Sequence, residues 1–139
     1  MGRKRLVTDR RLVAIVDDEE DITVLFSDAL KVIEGISLIT FNDPRIALEH
    51  FKTNFDAYAL VISDFRMPGI NGMELLKKVK DSNSYVRTIL MTAFNLQDPE
   101  LEKCMENQII NKFIQKPIQL ADLLAEVNNQ LHLYEADKK

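Results

Sequence analysis

The chain has 139 residues, of which 46% are hydrophobic and 29% charged, and its formal net charge is −4. These values are typical of one globular domain with a buried core, and no apolar run approaches the roughly 20 residues that would span a bilayer. The single cysteine, Cys104, excludes a disulfide framework and a thiolate metal cluster, and it favours a reducing, cytoplasmic setting.

The first 11 residues are basic, with five Lys or Arg against one acid, whereas acids exceed bases in the rest of the chain. We expect residues 1–11 to form a flexible leader, 12–133 to form the domain and 134–139 to form a C-terminal tail. The alternative is that the leader contacts nucleic acid or an acidic partner. The acidic body itself argues against a nucleic-acid-binding surface.

Five short apolar runs predict five strands. Three of the runs are almost continuously apolar, which favours strands buried on both faces, as in a parallel sheet. In chain order the runs are Leu12–Val16, Ile36–Phe41, Leu60–Ser63 with Ala59 before it, Thr88–Met91 and Phe113–Gln115.

Helical patterns with clear start and stop signals separate these strands. Strict alternation of strands and helices predicts an α/β domain, in which helices flank a parallel sheet through right-handed crossovers. The chemistry of such folds lies at the carboxyl ends of the strands, near the point where the strand order reverses. The signals are a stop at Gly35, N-caps with proline at Asp43-Pro44 and Asp98-Pro99, a capping-box pattern at Asn71 and Glu74, and an apolar stripe from Leu120 to Leu131.

The residues that follow the predicted strands form one constellation. Because the carboxyl ends of parallel strands meet at one edge of the sheet, we expect three carboxylates, a hydroxyl and an ammonium to converge there. The second strand ends in Phe41-Asn42 and contributes no acid. The converging residues are Asp17 and Asp18 after the first strand, Asp64 after the third, Thr92 after the fourth and Lys116 after the fifth.

Clustered carboxylates need a counter-charge, since two of them about 4 Å apart repel by roughly 4 kcal/mol at an effective dielectric constant near 20. Mg²⁺ meets this need, because it takes oxygen ligands and retains several waters. Lys116 would then neutralise a transferred phosphoryl group, Thr92 would donate to it, and Asp64 would be the nucleophile. Each residue taken alone is more often structural. Their convergence is what predicts a site that forms an acyl phosphate on Asp64.

Four motifs in order, V-D-D-E, D-F-R-M-P-G-I-N-G, M-T-A and F-I-Q-K-P, closely resemble the receiver domain of two-component response regulators. The resemblance runs from about Leu12 to Leu131. It implies a three-layer, doubly wound (βα)5 flavodoxin-like domain whose five parallel strands lie in the order 2-1-3-4-5. It also implies a Mg²⁺ (or Mn²⁺) cofactor and a phosphoryl donor that is a sensor histidine kinase or a phosphotransfer protein.

The same resemblance assigns roles to single residues. Asp64 looks like the phosphoacceptor and a metal ligand, Asp18 like a direct metal ligand, and Asp17 like an acid that acts mainly through a metal-bound water. The backbone carbonyl of Arg66 would be the remaining protein ligand. A receiver of this kind is not an enzyme acting on an external substrate, although it catalyses its own phosphoryl uptake and loss.

The remaining roles concern signal output. Thr92 and Lys116 match the residues that bind phosphoryl oxygens, Phe113 matches the switch aromatic that responds to Thr92, and Lys116-Pro117 matches a cis peptide. The modified domain would change partner binding through the face made by helix 4, strand 5 and helix 5. Candidates for that face, several of which are core residues on the simpler interpretation, are Leu101, Cys104, Met105, Ile109 and Ile110.

Four positions depart from the family pattern. Phe113 lacks a hydroxyl, so its coupling to Thr92 must act through packing. The turn before the fifth strand, Glu106-Asn107-Gln108, contains no glycine, and we expect Asn107 to take the left-handed conformation there. Arg66 and Phe94 lie two residues past Asp64 and Thr92, where they would flank the phosphoryl group. A bulky Phe94 would restrict the attacking water, which predicts slow self-dephosphorylation.

The output itself is left open: a downstream effector protein, or an output domain outside this chain. We expect no nucleic acid bound by this domain and no membrane, and homodimerisation is undecided. The main alternative is a metal-dependent phosphatase or phosphotransferase with an aspartyl-phosphate intermediate, which is weakened because Arg66 stands where that type has its second acid. A nucleotide-binding domain is a further alternative, which is disfavoured because the chain contains no phosphate-cradling glycine motif. A phosphorylation-independent receiver is disfavoured by the complete set of acids.

Overall fold

The computed structural model describes residues 11–93 and 98–138 of the chain. In this part, five strands alternate with five helices, as predicted. None of the described helices is both long and apolar enough to cross a membrane. The elements are β1 (Arg11–Val16), α1 (Glu20–Leu30), β2 (Ile36–Phe41), α2 (Pro44–Thr53), β3 (Tyr58–Asp64), α3 (Gly72–Ser82), β4 (Arg87–Thr92), α4 (Pro99–Glu106), β5 (Lys112–Gln115) and α5 (Leu120–Lys138).

The strands form one parallel sheet in the order β2-β1-β3-β4-β5, which confirms the predicted fold. Because β1 lies between β2 and β3, the chain leaves β1 toward one edge of the sheet and later returns to its other side. This reversal opens a crevice at the carboxyl ends of β1 and β3. The acids predicted for the site follow these two strands.

The sheet is buried on both faces, as the continuous apolar runs predicted. Along β1, Val13 and Ile15 pack in the layer that α1 and α5 cover, whereas Ala14 and Val16 pack in the layer that α2, α3 and α4 cover. Every residue of β3 is buried, including the terminal Asp64. Packing on both faces therefore fixes the strand that carries this carboxylate.

Local capping explains where three of the helices begin. The Asp43 side chain accepts a hydrogen bond from the Arg45 amide, and Asp98 accepts one from the Glu100 amide. Asn71 accepts from the amide of Glu74, whose side chain accepts in turn from the Asn71 amide. These bonds satisfy amides that would otherwise lack partners in the first turn. The three predicted helix starts are thereby confirmed.

Two helix ends differ from prediction. Helix α1 ends at Leu30, and the Ile33 amide then donates to the Leu30 carbonyl at 3.1 Å in a separate turn before Gly35. Helix α5 continues to Lys138, through residues that we expected to form a tail. Its extension has a packing cause, because Tyr134 is 1% exposed and lies under the Arg11 guanidinium, 5.4 Å from the ring centroid. Arg11 itself belongs to β1 rather than to the leader.

The left-handed residue before β5 is Gln108, with φ of 60°, and not Asn107 as predicted. Asn107 is instead the C-cap of α4, with φ of −85°. The left-handed position at a helix end is the residue after the cap. Our prediction was therefore wrong by one residue, because Asn107 is itself the cap and Gln108 is the residue after it.

Candidate functional site

The carboxylates of Asp17, Asp18 and Asp64 meet at the carboxyl ends of β1 and β3. Each offers an oxygen that lies within 4.8 Å of the others. Asp17 and Asp64 are buried, at 1% and 7% exposure, whereas Asp18 is exposed. The predicted acids are thus brought together, with two of them largely withdrawn from water.

Asp17 is the most deeply buried of the three. Its Oδ1 accepts a hydrogen bond from the Glu19 amide at 2.9 Å, while its buried Oδ2 has no hydrogen-bond partner among the described residues. Burial raises the pKa of Asp17 to about 6, and the charges of Asp64 and Asp18 act in the same direction. The Glu19 amide and Lys116 oppose this shift. An unpartnered buried oxygen beside two further carboxylates is a donor set that suits a hard divalent cation.

Lys116 supplies the positive charge within the site. Its Nζ lies 2.6 Å from Asp64 Oδ1. Partial burial works to lower the pKa of the Lys116 amine, but the hydrogen bond to Asp64 and the charges of Asp64 and Asp17 outweigh it and raise the pKa. The Lys116–Pro117 peptide bond is cis, the geometry that the family resemblance implied. Lys116 is therefore a protonated donor in contact with the acid at the end of β3.

A backbone hydrogen bond joins Thr92 to Lys116. The Lys116 amide donates to the Thr92 carbonyl at 2.8 Å, and Thr92 is 1% exposed at the end of β4. Phe113, opposite Leu90 in the register of β4 and β5, is half-buried and packs against the apolar layer under α2, α3 and α4. The hydroxyl and the aromatic ring thus belong to two adjacent strands, and the ammonium belongs to the residue directly after the second of them.

The loop that follows Asp64 turns sharply back onto α3. The Phe65 amide donates to the Met91 carbonyl at 3.0 Å, and the Phe65 carbonyl accepts from the Gly72 amide at 2.7 Å. Gly69 has φ of +90°, a conformation that side chains disfavour. The exposed Arg66 lines an open cavity of about 480 Å³ together with Phe65, Met67, Pro68 and Asn71. Phe94, the other residue expected to flank the phosphoryl group, lies outside the described residues.

The five candidates for the face made by α4, β5 and α5 differ in burial. Leu101 and Ile110 are fully buried, and Cys104 is 9% exposed. Met105 is 40% exposed, and Ile109 is half-buried. Only Met105 among these five described residues presents a large apolar surface to solvent.

Sequence reasoning assigned no task to Asn42, at the end of β2. Its side-chain Nδ2 lies 2.8 Å from the Asp17 carbonyl and 3.1 Å from Thr23 Oγ1. The signal that could have found it was its position, since it is a polar residue at the carboxyl end of the strand beside β1.

Comparison with known proteins agrees with this geometry. Residues 13–128 match the family model described as the response regulator receiver domain. Two-component response regulator ARR5 of Arabidopsis thaliana is 32% identical over 104 residues, which is 73% of this chain and 52% of that protein. The DNA-binding transcriptional regulator NtrC of Klebsiella pneumoniae is 27% identical over 130 residues, which is 94% of this chain and 27% of that protein.

A crystal structure of a response regulator receiver domain protein from Clostridium thermocellum superposes with a TM-score of 0.81. It is 23% identical in sequence, and the match covers 91% of this chain and 98% of the other. At that identity the likeness shows the fold, and the family match over most of the domain shows the family. The chain spans about half the length of the plant relative. It belongs to the receiver domains of two-component response regulators.

Proposed function

We propose that Asp64 accepts a phosphoryl group in a reaction that depends on Mg²⁺. The observation that carries this proposal is the setting of the buried Asp64 carboxylate, with the Lys116 ammonium 2.6 Å away and an oxygen of Asp17 and of Asp18 within 4.8 Å. The Asp64 carboxylate therefore contacts the Lys116 ammonium and lies next to the proposed metal site. It can attack a phosphoryl group, because the ammonium and the metal ion would neutralise the charge of that group.

The transfer itself needs few protein groups. An Asp64 oxygen attacks phosphorus, the bond from phosphorus to the donor breaks, and the donor leaves with that bonding pair. Lys116 turns from the Asp64 carboxylate to an oxygen of the bound phosphoryl group, and the Thr92 hydroxyl donates to another. A divalent cation held by Asp17, Asp18, Asp64 and the Arg66 carbonyl would supply further neutralisation of phosphoryl charge. Loss of the group is a second displacement, in which water attacks phosphorus and the bond from phosphorus to the Asp64 oxygen breaks. The carboxylate leaves with that bonding pair, and the water gives up a proton to solvent as inorganic phosphate forms.

The donor and the output are proposed from the family to which the chain belongs. The donor would be a phosphohistidine on a sensor histidine kinase or on a phosphotransfer protein, and the setting would be cytoplasmic. The output would be a downstream effector protein or an output domain beyond this chain. The protein would act on no external substrate, so we class it as a signalling module and not as an enzyme.

The output surface would be the face formed by α4, β5 and α5. A phosphoryl group adds charge and three strong acceptor oxygens at Asp64. Drawing Thr92 toward those oxygens changes the space next to Phe113, whose response must come from packing because its ring bears no hydroxyl. The exposed Met105 on α4 is a candidate contact for the partner.

The direct test is incubation with a small acyl phosphate and Mg²⁺, followed by intact mass measurement. We expect the wild-type chain to gain one phosphoryl group, and we expect EDTA or Asp64→Ala to abolish the gain. Asp81→Ala, which removes an exposed acid in α3, is the matched control and should be modified like the wild type. A wild-type chain that gains nothing, or a gain that survives in Asp64→Ala, would overturn the proposal.

A further inference from the structure

Asn42 joins the end of β2 to the loop that carries Asp17 and Asp18. Its Nδ2 lies 2.8 Å from the Asp17 carbonyl oxygen. A carbonyl can only accept, so the nitrogen of the amide must be the atom that faces it. The orientation of this side chain is therefore determined by its partner, although Asn42 is exposed to solvent.

The second proton of the same amide extends the connection to α1. Nδ2 lies 3.1 Å from Thr23 Oγ1, and the Thr23 hydroxyl donates in turn to the Glu20 carbonyl at 2.9 Å. Thr23 is 1% exposed, so the end of the relay on α1 is shielded from water, whereas Asn42 is exposed. Both amide protons of Asn42 are thus used, and every bond in the relay has a defined direction.

This loop has few other restraints. The N-cap residue of α1, Glu19, makes no side-chain cap hydrogen bond among the described residues, unlike the caps of α2, α3 and α4. The Asp17 amide donates to the Phe41 carbonyl at 3.1 Å, and the Glu19 amide holds the Asp17 carboxylate. Asn42 is the side chain that ties the main chain at Asp17 to the first turn of α1.

We infer that Asn42 is a positioning residue for the carboxylates of Asp17 and Asp18. These acids repel each other and Asp64, so a loop without restraint relaxes to separate them and must be drawn back when a cation binds. Asn42 holds the loop in place before binding and thereby avoids that cost. The inference rests on the proposed Mg²⁺ site and assigns to it a residue that contacts neither metal nor phosphoryl group.

The test uses the intact chain and measures metal binding directly. We expect Asn42→Ala to weaken Mg²⁺ binding in titration calorimetry about tenfold, the lower end of the range for groups that orient metal ligands. In phosphorylation assays the Mg²⁺ concentration for half-maximal rate should rise by a similar factor, while the rate at saturating Mg²⁺ stays within about twofold of wild type, because Asp64, Thr92 and Lys116 are untouched. A purely structural loss would weaken Mg²⁺ binding and would also lower the rate at saturating Mg²⁺.

Asn54→Ala is the matched control. Asn54 also donates through its Nδ2 to a carbonyl, that of His50 at 2.9 Å, but it does so at the end of α2. This variant should bind Mg²⁺ like the wild type. Thr23→Val removes both hydrogen bonds of the Thr23 hydroxyl but leaves the bond from Asn42 to the Asp17 carbonyl, so it should weaken binding by less than Asn42→Ala.

Three outcomes separate the claims. Wild-type Mg²⁺ affinity in both Asn42→Ala and Thr23→Val would overturn the inference and leave the proposed function intact. Equal weakening in Asn54→Ala would also overturn it, since the effect would then be general. A wild-type chain that binds Mg²⁺ but takes no phosphoryl group would refute the proposed function and leave the role of Asn42 in metal binding standing.

Discussion

Gly72, the first residue of α3, lies directly against the main-chain carbonyl of Asp64. A Cβ at this position would overlap the Asp64 carbonyl oxygen, and it would lie 2.7 Å from Leu90 Cδ1 and 3.0 Å from the Asp64 carbonyl carbon. The same carbonyl oxygen accepts the Ser63 hydroxyl at 2.9 Å. The start of α3 can therefore pack onto the backbone of the candidate phosphoacceptor only because residue 72 has no side chain.

Gly72→Ala should disturb the site as well as the fold. The added methyl group must displace either Asp64 or the start of α3, so we expect a loss of about 1–3 kcal/mol in stability, as for overpacked cores. We also expect at least tenfold slower phosphorylation. Val79→Ala, a buried truncation two turns further along α3, should lose comparable stability but keep a rate close to wild type. Urea unfolding and phosphorylation rates, measured below the unfolding transition, test this. Equal rates in the two variants would contradict the expected role of the contact.

Asp17 should make the metal-free protein less stable as the pH rises. Burial raises its pKa from 3.8 to about 6, so between these values the folded protein binds more protons than the unfolded chain. The free energy of unfolding must then fall as the pH rises from about 4 to about 6. Asp17→Asn removes this titration and should be more stable than wild type at pH 7 by about 1–3 kcal/mol.

Urea unfolding in EDTA at several pH values measures this difference. Asp81→Asn, at an exposed acid, is the control and should follow the wild-type curve. If Asp17→Asn gained no stability at neutral pH, ionisation of the buried Asp17 carboxyl would not destabilise the fold, and the prediction would be wrong.

Lys80 should have the opposite pH dependence, far from the site. Its Nζ donates to Asn111 Oδ1 at 2.9 Å and to the Ser84 carbonyl at 3.4 Å. Burial lowers its pKa from 10.5 to about 8, and Arg87 adds to the shift. Between these values the unfolded chain binds more protons, so this group makes the folded state more stable as the pH rises.

Replacing Lys80 with methionine removes that titration. The stability of wild type relative to Lys80→Met should therefore increase between about pH 8 and pH 10, as measured by urea unfolding at each pH. Lys78→Met changes an exposed lysine on the same helix and should give a constant difference. Parallel curves for wild type and Lys80→Met would show that the amine titrates normally.

Local signals predicted most of the fold. The cap at Asp43, the capping box at Asn71 and the apolar run of β3 each act within a few residues, so the sequence alone locates them. The strand-end acids followed from topology, because parallel strands place their carboxyl ends together. Those features depend on spacing along the chain and not on the details of side-chain packing.

Contacts between distant segments were missed for the converse reason. Asn42 and Asp17 are 25 residues apart, and only their common position at the carboxyl ends of neighbouring strands indicates that they meet. The length of α5 depends on Tyr134 packing under Arg11, at the other end of the chain. Which side chain bonds to a given carbonyl is decided by the packed geometry, and a single sequence does not carry that information.

The most direct test of the central claim is the chemical identity of the modified residue. After treatment with an acyl phosphate and Mg²⁺, borohydride reduction converts an aspartyl phosphate to homoserine, which peptide mass mapping locates. The account predicts homoserine at position 64, dependent on Mg²⁺ and on the phosphodonor. Homoserine at another acid such as Asp17 or Asp18, or no reducible acyl phosphate in a folded wild-type chain, would contradict it.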